Sequence, residues 1–203
     1  IIMRLRYNKN ADKILKNSEY TITNFPFNVE ENSILEIGMG KGKMITEMAF
    51  ENPNNNYIGI EKYSTVALSA MKKAVALNLN NFKIIIGDAK NILELFNGKF
   101  NTIWLTFSDP WPKKRHFKRR LVYREFLLLF KQVLRDNGTI YFKSDNDGLY
   151  EFALEELNAI NAKIIFNTND FHNSNFNIKN YLTEYEEKFK NKGKNINFIA
   201  FKF

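Results

Sequence analysis

No cysteine occurs among the 203 residues, which excludes disulfides, thiolate zinc sites and cysteine nucleophiles. Histidine is almost as scarce. His116 and His172 are the only two, too few and too isolated for a histidine-based metal site, so no metal is expected. No stretch approaches the roughly 20 consecutive apolar residues that cross a bilayer, and the amino end lacks the apolar core of a signal peptide. These absences point to a cytoplasmic protein without a membrane partner. There is no internal repeat, and the length suits one domain with at most a small appendage. Acidic side chains are outnumbered, 22 against 30 basic, which leaves a net charge of +8.

That excess is local. Six of the eight residues from Lys113 to Arg120 are Lys or Arg, and without those six, 24 basic side chains face 22 acidic ones, a balance of +2. A cationic run concentrated in this way is what a polyphosphate backbone selects, although a bare run of this kind is equally consistent with a solvated surface loop. Its context favours function. The run continues Ser108-Asp109-Pro110-Trp111-Pro112, where two prolines restrain the chain on both sides of Trp111. The whole segment follows Thr102 to Phe107, an apolar and β-branched stretch that reads as a buried strand. A carboxylate at the carboxyl end of such a strand stands where open α/β sheets bind ligands.

Upstream, Ser33 to Ile37 reads as a strand and Gly38-Met39-Gly40-Lys41-Gly42 as a tight turn opening a helix from about Lys43 to Glu51. A phosphate-binding P-loop would need glycine where Ile37 stands and Ser or Thr where Met44 stands. A dinucleotide fingerprint would need its third glycine at Lys43. The remaining pattern is acid-x-G-x-G-x-G, with Glu36 two residues ahead of Gly38. An acid there repels a pyrophosphate but suits a ligand carrying an ammonium and a sulfonium, such as S-adenosylmethionine. The next two predicted strands, Tyr57 to Ile60 and Phe82 to Ile86, are followed by Glu61 and Asp88. Glu61 is suited to accept two ribose hydroxyls. Asp88 either receives the exocyclic amine of adenine or caps the following helix. Three acids at three successive strand ends favour an adenosyl ligand more strongly than any one of them.

Further predicted elements are a helix from Ser64 to Leu79, another from Tyr123 to Leu134 that stops at Asn137-Gly138, and a strand from Thr139 to Lys143. A helix from Asp147 to Ala159 has Asp145 as its candidate cap, or else as a ligand contact. Two last strands, Lys163 to Thr168 and Asn195 to Phe203, are separated by an Asn-rich connection holding Thr183-Glu184-Tyr185-Glu186. Such long connections are usually mobile or functional. Residues 1–23 form a basic arm carrying Arg4, Arg6, Lys9, Lys13 and Lys16, with room for one short helix around Lys9 to Lys16. The expected architecture for residues 24–203 is a single α/β domain: a doubly wound, mostly parallel seven-stranded sheet with an antiparallel last strand.

Taken together, Leu35-Glu36-Ile37-Gly38, Gly59-Ile60-Glu61, the segment from Ser108 to Arg120 and Thr183-Glu184-Tyr185-Glu186 resemble the bacterial tRNA (guanine-N7)-methyltransferases, a family with the Rossmann-like class I methyltransferase fold. The resemblance covers nearly the whole chain and is carried most specifically by Asp109-Pro110-Trp111 and the basic run after it. It implies transfer of a methyl group from S-adenosylmethionine, with S-adenosylhomocysteine as product, to N7 of a guanosine in the tRNA variable loop. By resemblance, Glu36, Gly38, Gly40, Glu61, Asp88 and Asp109 contact the cofactor, and Asp109 is also the catalytic position. Lys113, Asp145, Thr183, Glu184, Tyr185 and Glu186 would face the substrate, and Arg115, His116, Lys118, Arg119 and Arg120 the RNA. Asp109, Asp145 and Glu186 are candidate acceptors for the guanine edge, and Trp111 and Tyr185 candidate stacking surfaces. Two other readings stand beside this one: a methyltransferase of the same fold acting on another RNA or on protein, and a non-catalytic RNA-binding protein.

Overall fold

The computed structural model describes residues 7–190 and 193–203; Arg4 and Arg6 of the basic arm lie outside the described residues. Seven strands make the main sheet: β1 (Ser33–Ile37), β2 (Asn56–Glu61), β3 (Phe82–Ile86), β4 (Phe100–Thr106), β5 (Leu134–Ser144), β6 (Lys163–Thr168) and β7 (Asn197–Lys202). Their spatial order is β3-β2-β1-β4-β5-β7-β6. Neighbours from β3 through β5 are parallel, and β7 runs antiparallel to both β5 and β6. The order reverses between β1 and β4, so the crevice at their carboxyl ends is the position where this topology receives a ligand.

Alternation along the strands divides the apolar side chains between two faces. Leu35, Ile37, Ile103, Leu105, Ile140 and Phe142 pack under α4 (Ile92–Leu95), α5 (Arg124–Gln132) and α6 (Asp147–Ala159). Tyr57, Phe82, Ile84, Trp104, Phe198 and Ala200 pack under α1 (Ala11–Lys16), α2 (Lys43–Glu51) and α3 (Ser64–Ala76). Glu36 and Lys143 sit on this second face, in register with Trp104 and Thr106. The arm is packed rather than frayed from Ala11 onward. Ala11 and Leu15 are buried, Asn8 N–H donates to Thr65, and Thr21 bridges to Ile84 at the β3 edge.

The largest departure from the expected boundaries falls between α5 and β5. Helix α5 ends at Gln132, and β5 begins at Leu134 rather than Thr139. The ladder pairs Phe100 with Leu134 and then Thr102 with Thr139, so residues 135–138 make an excursion from the strand. Gly138 is therefore no helix stop. A Cβ there would meet Leu134 Cδ1 at 2.7 Å and the Arg135 carbonyl oxygen at 2.9 Å, and close approach is what the position requires. The cap of α6 is likewise Asn146, whose side chain accepts from Leu149 N–H at 2.8 Å, and not Asp145.

Candidate active site

The glycine turn sits over the ends of β1 and β2. Gly38, Gly40 and Gly42 all adopt left-handed φ, from 58° to 76°, where a side chain would be strained. Gly38 and Met39 donate to the Ile60 carbonyl at 2.8 and 3.0 Å, and Gly40 N–H donates to Glu61 Oε2 at 3.0 Å. Glu61 Oε1 accepts from Tyr63 N–H at 3.0 Å. The acid at the end of β2 thus shapes the turn, while each of its oxygens keeps a lone pair for a ligand.

Beside this turn lies a cleft of ≈ 770 Å³. Its wall includes Gly38, Gly40, Glu61 and Asp88 on one side and Ser108, Asp109, Trp111, Lys118 and Arg119 on the other. Asp88 lines the cleft and also caps the turn that follows it, accepting from Lys90 N–H at 3.1 Å and pairing with Lys62 at 3.3 Å. Burial works to raise its carboxyl, and these partners outweigh that, leaving it below the usual aspartate range. A smaller space of ≈ 240 Å³ shares Gly38, Gly40, Thr106 and Phe107 with the cleft and extends to Thr183, Glu184 and Tyr185.

Glu36 lies one layer below this floor. It is 1% exposed, its Oε1 accepts from Thr106 Oγ1 at 2.7 Å, and its Oε2 has no partner among the described residues. Burial is the main cause that pushes its carboxyl up to about 8, with the Thr106 hydroxyl and the Lys143 ammonium working against the rise. An unfolded glutamate ionises near 4.5. Between these two values the folded chain holds a proton that the unfolded chain has released, so rising pH weakens folding across that window. Glu36→Gln removes this liability. We expect the empty variant to match the wild type near pH 5 and to exceed it above pH 8 by on the order of a few kcal/mol. Thermal melts at several pH values, without ligand, check this; a difference that does not grow with pH contradicts it.

The basic segment is more ordered than its charge suggests. Phe107 and Trp111 both hold left-handed φ, 49° and 43°, uncommon for aromatic residues and concentrated at functional sites in general. The Trp111 ring meets His116 edge-on at 5.7 Å and lies under the Arg119 guanidinium at 5.0 Å. Arg120 donates to the Trp111 carbonyl oxygen at 3.1 Å and stacks over Phe152 of α6 at 4.4 Å. Lys113, Lys114, Arg115 and Lys118 are exposed. Asp109 is exposed in the cleft and has no hydrogen bond or ion pair among the described residues.

Thr183-Glu184-Tyr185-Glu186 divides into two pairs of roles. It opens α7 (Glu184–Lys190) as a capping box. Thr183 Oγ1 accepts from Glu186 N–H at 3.0 Å, and Glu186 Oε2 accepts from Thr183 N–H at 3.4 Å. Glu186 is fully buried, paired with Lys143 at 3.0 Å and with His172 at 2.7 Å. It is therefore corrected from a base-facing acceptor to a support beneath the site. Glu184 and Tyr185 remain at the surface of the smaller space. Glu184 lies 3.1 Å from Lys73, close enough for an ion pair but not aligned as a hydrogen bond. Tyr185 packs on Phe107 at 5.2 Å and donates to Asp145 Oδ2 at 3.2 Å. Its hydroxyl is pushed up to about 12, first by burial and then by the Asp145 carboxylate.

With this geometry in view, the likeness to known proteins is specific. A family model described as "Putative methyltransferase" matches residues 30–199. A protein of Metamycoplasma hominis named tRNA (guanine-N(7)-)-methyltransferase is 60% identical over 201 residues, spanning 99% of this chain and all of that one. A protein of the same name from Mycoplasmopsis pulmonis is 55% identical over 99% of both chains.

This chain belongs to the tRNA (guanine-N7)-methyltransferase family.

Solved structures agree on the fold. A 16S rRNA methyltransferase superposes with a TM-score of 0.61 at 13% identity, over 85% of this chain and 88% of that one. An antibiotic-related methyltransferase gives the same TM-score at 17% identity, covering 85% and 87%. Class I methyltransferase architecture is thus established for this family member. Among the described residues, no helix is long and apolar enough to cross a membrane.

Of the positions singled out from sequence, the structure brings Gly38, Gly40, Glu61, Asp88, Asp109, Lys118 and Arg119 to one cleft, and Thr183, Glu184 and Tyr185 to its neighbour. Asp145 reaches the second space through Tyr185. Lys113, Arg115, His116 and Arg120 do not line either. Sequence reasoning gave no site role to Thr106 and Phe107, which line both spaces, to Ser108, which lines the larger one, or to Lys143 beneath them. For the first three, the signal was adjacency to Asp109 at a strand end. A lysine closing an otherwise apolar strand was the only hint of the fourth.

Proposed function

We propose that this chain transfers a methyl group from S-adenosylmethionine to N7 of a guanosine in the tRNA variable loop, in the cytoplasm, and that residues 24–203 form its single catalytic domain. The observation that carries the reading is the arrival of Asp109, Lys118 and Arg119 at the mouth of a cleft built by a glycine turn and two strand-end acids. The residues present fit the cofactor. Glu36 Oε2 and Ser108 Oγ are buried polar atoms without partners among the described residues, the state expected where a polar ligand completes the hydrogen bonding. Glu61 suits the ribose hydroxyls, Asp88 the adenine edge, and Glu36 the ammonium.

S-adenosylmethionine supplies, when bound, an electrophilic methyl on sulfur. Guanine N7 is already an unprotonated lone pair, so the protein has no proton to remove from the nucleophile and acts mainly by positioning. Asp109 and Asp145 are acceptors for the N1 and N2 protons of guanine, with Glu184 nearby. Tyr185 and Trp111 offer aromatic surfaces to a base turned out of its stack. Exposed cations of the 113–119 segment hold the RNA backbone.

Incubation with labelled S-adenosylmethionine and unmodified tRNA, followed by mapping of the methylated nucleotide, tests this reading. Label in a single variable-loop 7-methylguanosine is the expected result; label elsewhere in the RNA, or none, overturns it. Glu61→Ala is expected to weaken cofactor binding by about 1–3 kcal/mol, because ribose donors lose an anionic acceptor. Its tRNA affinity should stay near wild type. A calorimetric titration giving wild-type cofactor affinity would remove Glu61 from the site.

A further inference from the structure

Lys143 is the charged side chain least expected from its surroundings. It is fully buried at the end of β5, and its Nζ donates to Asn180 Oδ1 at 2.6 Å, to the Tyr181 carbonyl oxygen at 2.9 Å and to Glu186 Oε2 at 3.0 Å. Trp104 and Phe171 lie at 5.4 and 5.5 Å from the same nitrogen. Water is excluded, so what favours the charged form is the Glu186 carboxylate in contact, two neutral acceptors and the nearby Glu36. Burial works to lower it below the ordinary lysine range, and Glu186 and Glu36 oppose that. Across the sheet, Lys143 pairs in register with Thr106, the residue whose hydroxyl holds Glu36.

The charges can be counted. Once Glu36 ionises, it and Glu186 flank one ammonium, so the buried set then carries one negative charge in excess, at the free oxygen of Glu36; while Glu36 keeps its proton, up to about pH 8, the set is neutral. A ligand ammonium fits that deficit. We propose that Lys143 is a positioning residue for cofactor capture: anchored by the Asn180–Glu186 segment, its ammonium lets the buried Glu36 serve as the acceptor for the ammonium of S-adenosylmethionine. Without Lys143, an ionised Glu36 would share a dry space with Glu186 and no cation beside them, so its proton would be held to still higher pH. The other groups facing Glu36 are Thr106, which favours the carboxylate, and Glu184 and Glu61, which disfavour it. Lys143 is thus the cation that balances them. The same anchor belongs to the segment that presents Glu184 and Tyr185, so the substrate side of the site and the charge state of its cofactor side share one nitrogen.

The inference rests on Glu36 being a cofactor acid, and the test separates the two. The variants are Lys143→Met and the double variant Lys143→Met, Glu186→Gln. The double variant replaces the ion pair with neutral groups of similar size and keeps a capping-box residue at 186, so it should fold where the single variant fails. Two quantities are read: the titration midpoint of the Glu36 carboxyl carbon by NMR, assigned by its loss in Glu36→Gln, and calorimetric binding of S-adenosylhomocysteine at pH 7.5. We expect the midpoint to rise by at least about one pH unit in the folded variants, and binding to weaken about tenfold for each unit. An unmoved midpoint with binding within about twofold of wild type would overturn the role of Lys143, since one pH unit alone corresponds to tenfold. Wild-type binding by Glu36→Gln would instead remove Glu36 from the cofactor site, whatever the lysine variants do.

Discussion

Asp109→Ala is expected to lose on the order of 10²-fold or more in single-turnover methyl transfer, while tRNA binding changes little. The expectation follows from where this carboxylate sits. It lies three residues beyond the end of β4, inside the cleft, with no hydrogen bond or ion pair among the described residues, although a run of cations begins four residues later. Left-handed Phe107 and Trp111 bracket it and hold the turn in a conformation that each costs about 1–3 kcal/mol. A surface carboxylate used only for solubility would not need that scaffold. Its position lets it organise guanine and cofactor together, and an error of about 1 Å in such alignment can cost a hundredfold in rate. Asp109→Asn keeps the shape and one acceptor oxygen, so it should recover part of the loss if placement outweighs charge. Rapid-quench transfer with enzyme in excess over bound tRNA is the measurement. Wild-type rates in Asp109→Ala would reduce this residue to a turn former.

The second large effect is on RNA affinity and its salt dependence. Each phosphate neutralised by a side chain releases condensed counterions, so the slope of log affinity against log salt counts the contacts. Arg120 is a poor choice for testing this, because it holds the Trp111 carbonyl and stacks on Phe152. Its loss would disturb the loop as well as its charge. Arg119 is partly committed to the Trp111 ring. Lys113, Lys114 and Arg115 are exposed, line neither space and carry no such contacts among the described residues. Replacing these three with alanine should flatten the slope by roughly 2 to 3 and weaken tRNA binding at low salt, with cofactor affinity unchanged. Filter binding of unmodified tRNA across a salt series decides it. An unaltered slope would mean that RNA approaches by another face.

Most of the strand-helix order could be read from the sequence because apolar runs ending in glycine or an acid are strongly constrained in a parallel sheet. Helix α2 begins and ends where the glycine turn and Glu51 suggested. The errors have local physical causes. Asn137-Gly138 looks like a helix stop, yet that glycine answers a steric demand from Leu134 in an excursion that only strand pairing reveals. Asp145 and Asn146 are both capable caps, and which one serves depends on where the strand releases the chain. Thr183 and Glu186 were read through resemblance as substrate residues, although Thr-x-x-Glu ahead of a helix is itself a capping signature. The burial of Lys143 was beyond reach, because its three partners lie 37 to 43 residues away in sequence.

The excursion at residues 135–138 has a practical consequence. It leaves the sheet at the amino-terminal ends of the strands, about 20 Å along β4 from the cleft, and the Asp136 side chain at its tip is 98% exposed. The chain has no thiol of its own. A single cysteine introduced at Asp136 would therefore be the one thiol in this sequence, carrying a fluorophore or a surface tether at the end remote from chemistry, so that binding and turnover can be watched with the cleft unaltered.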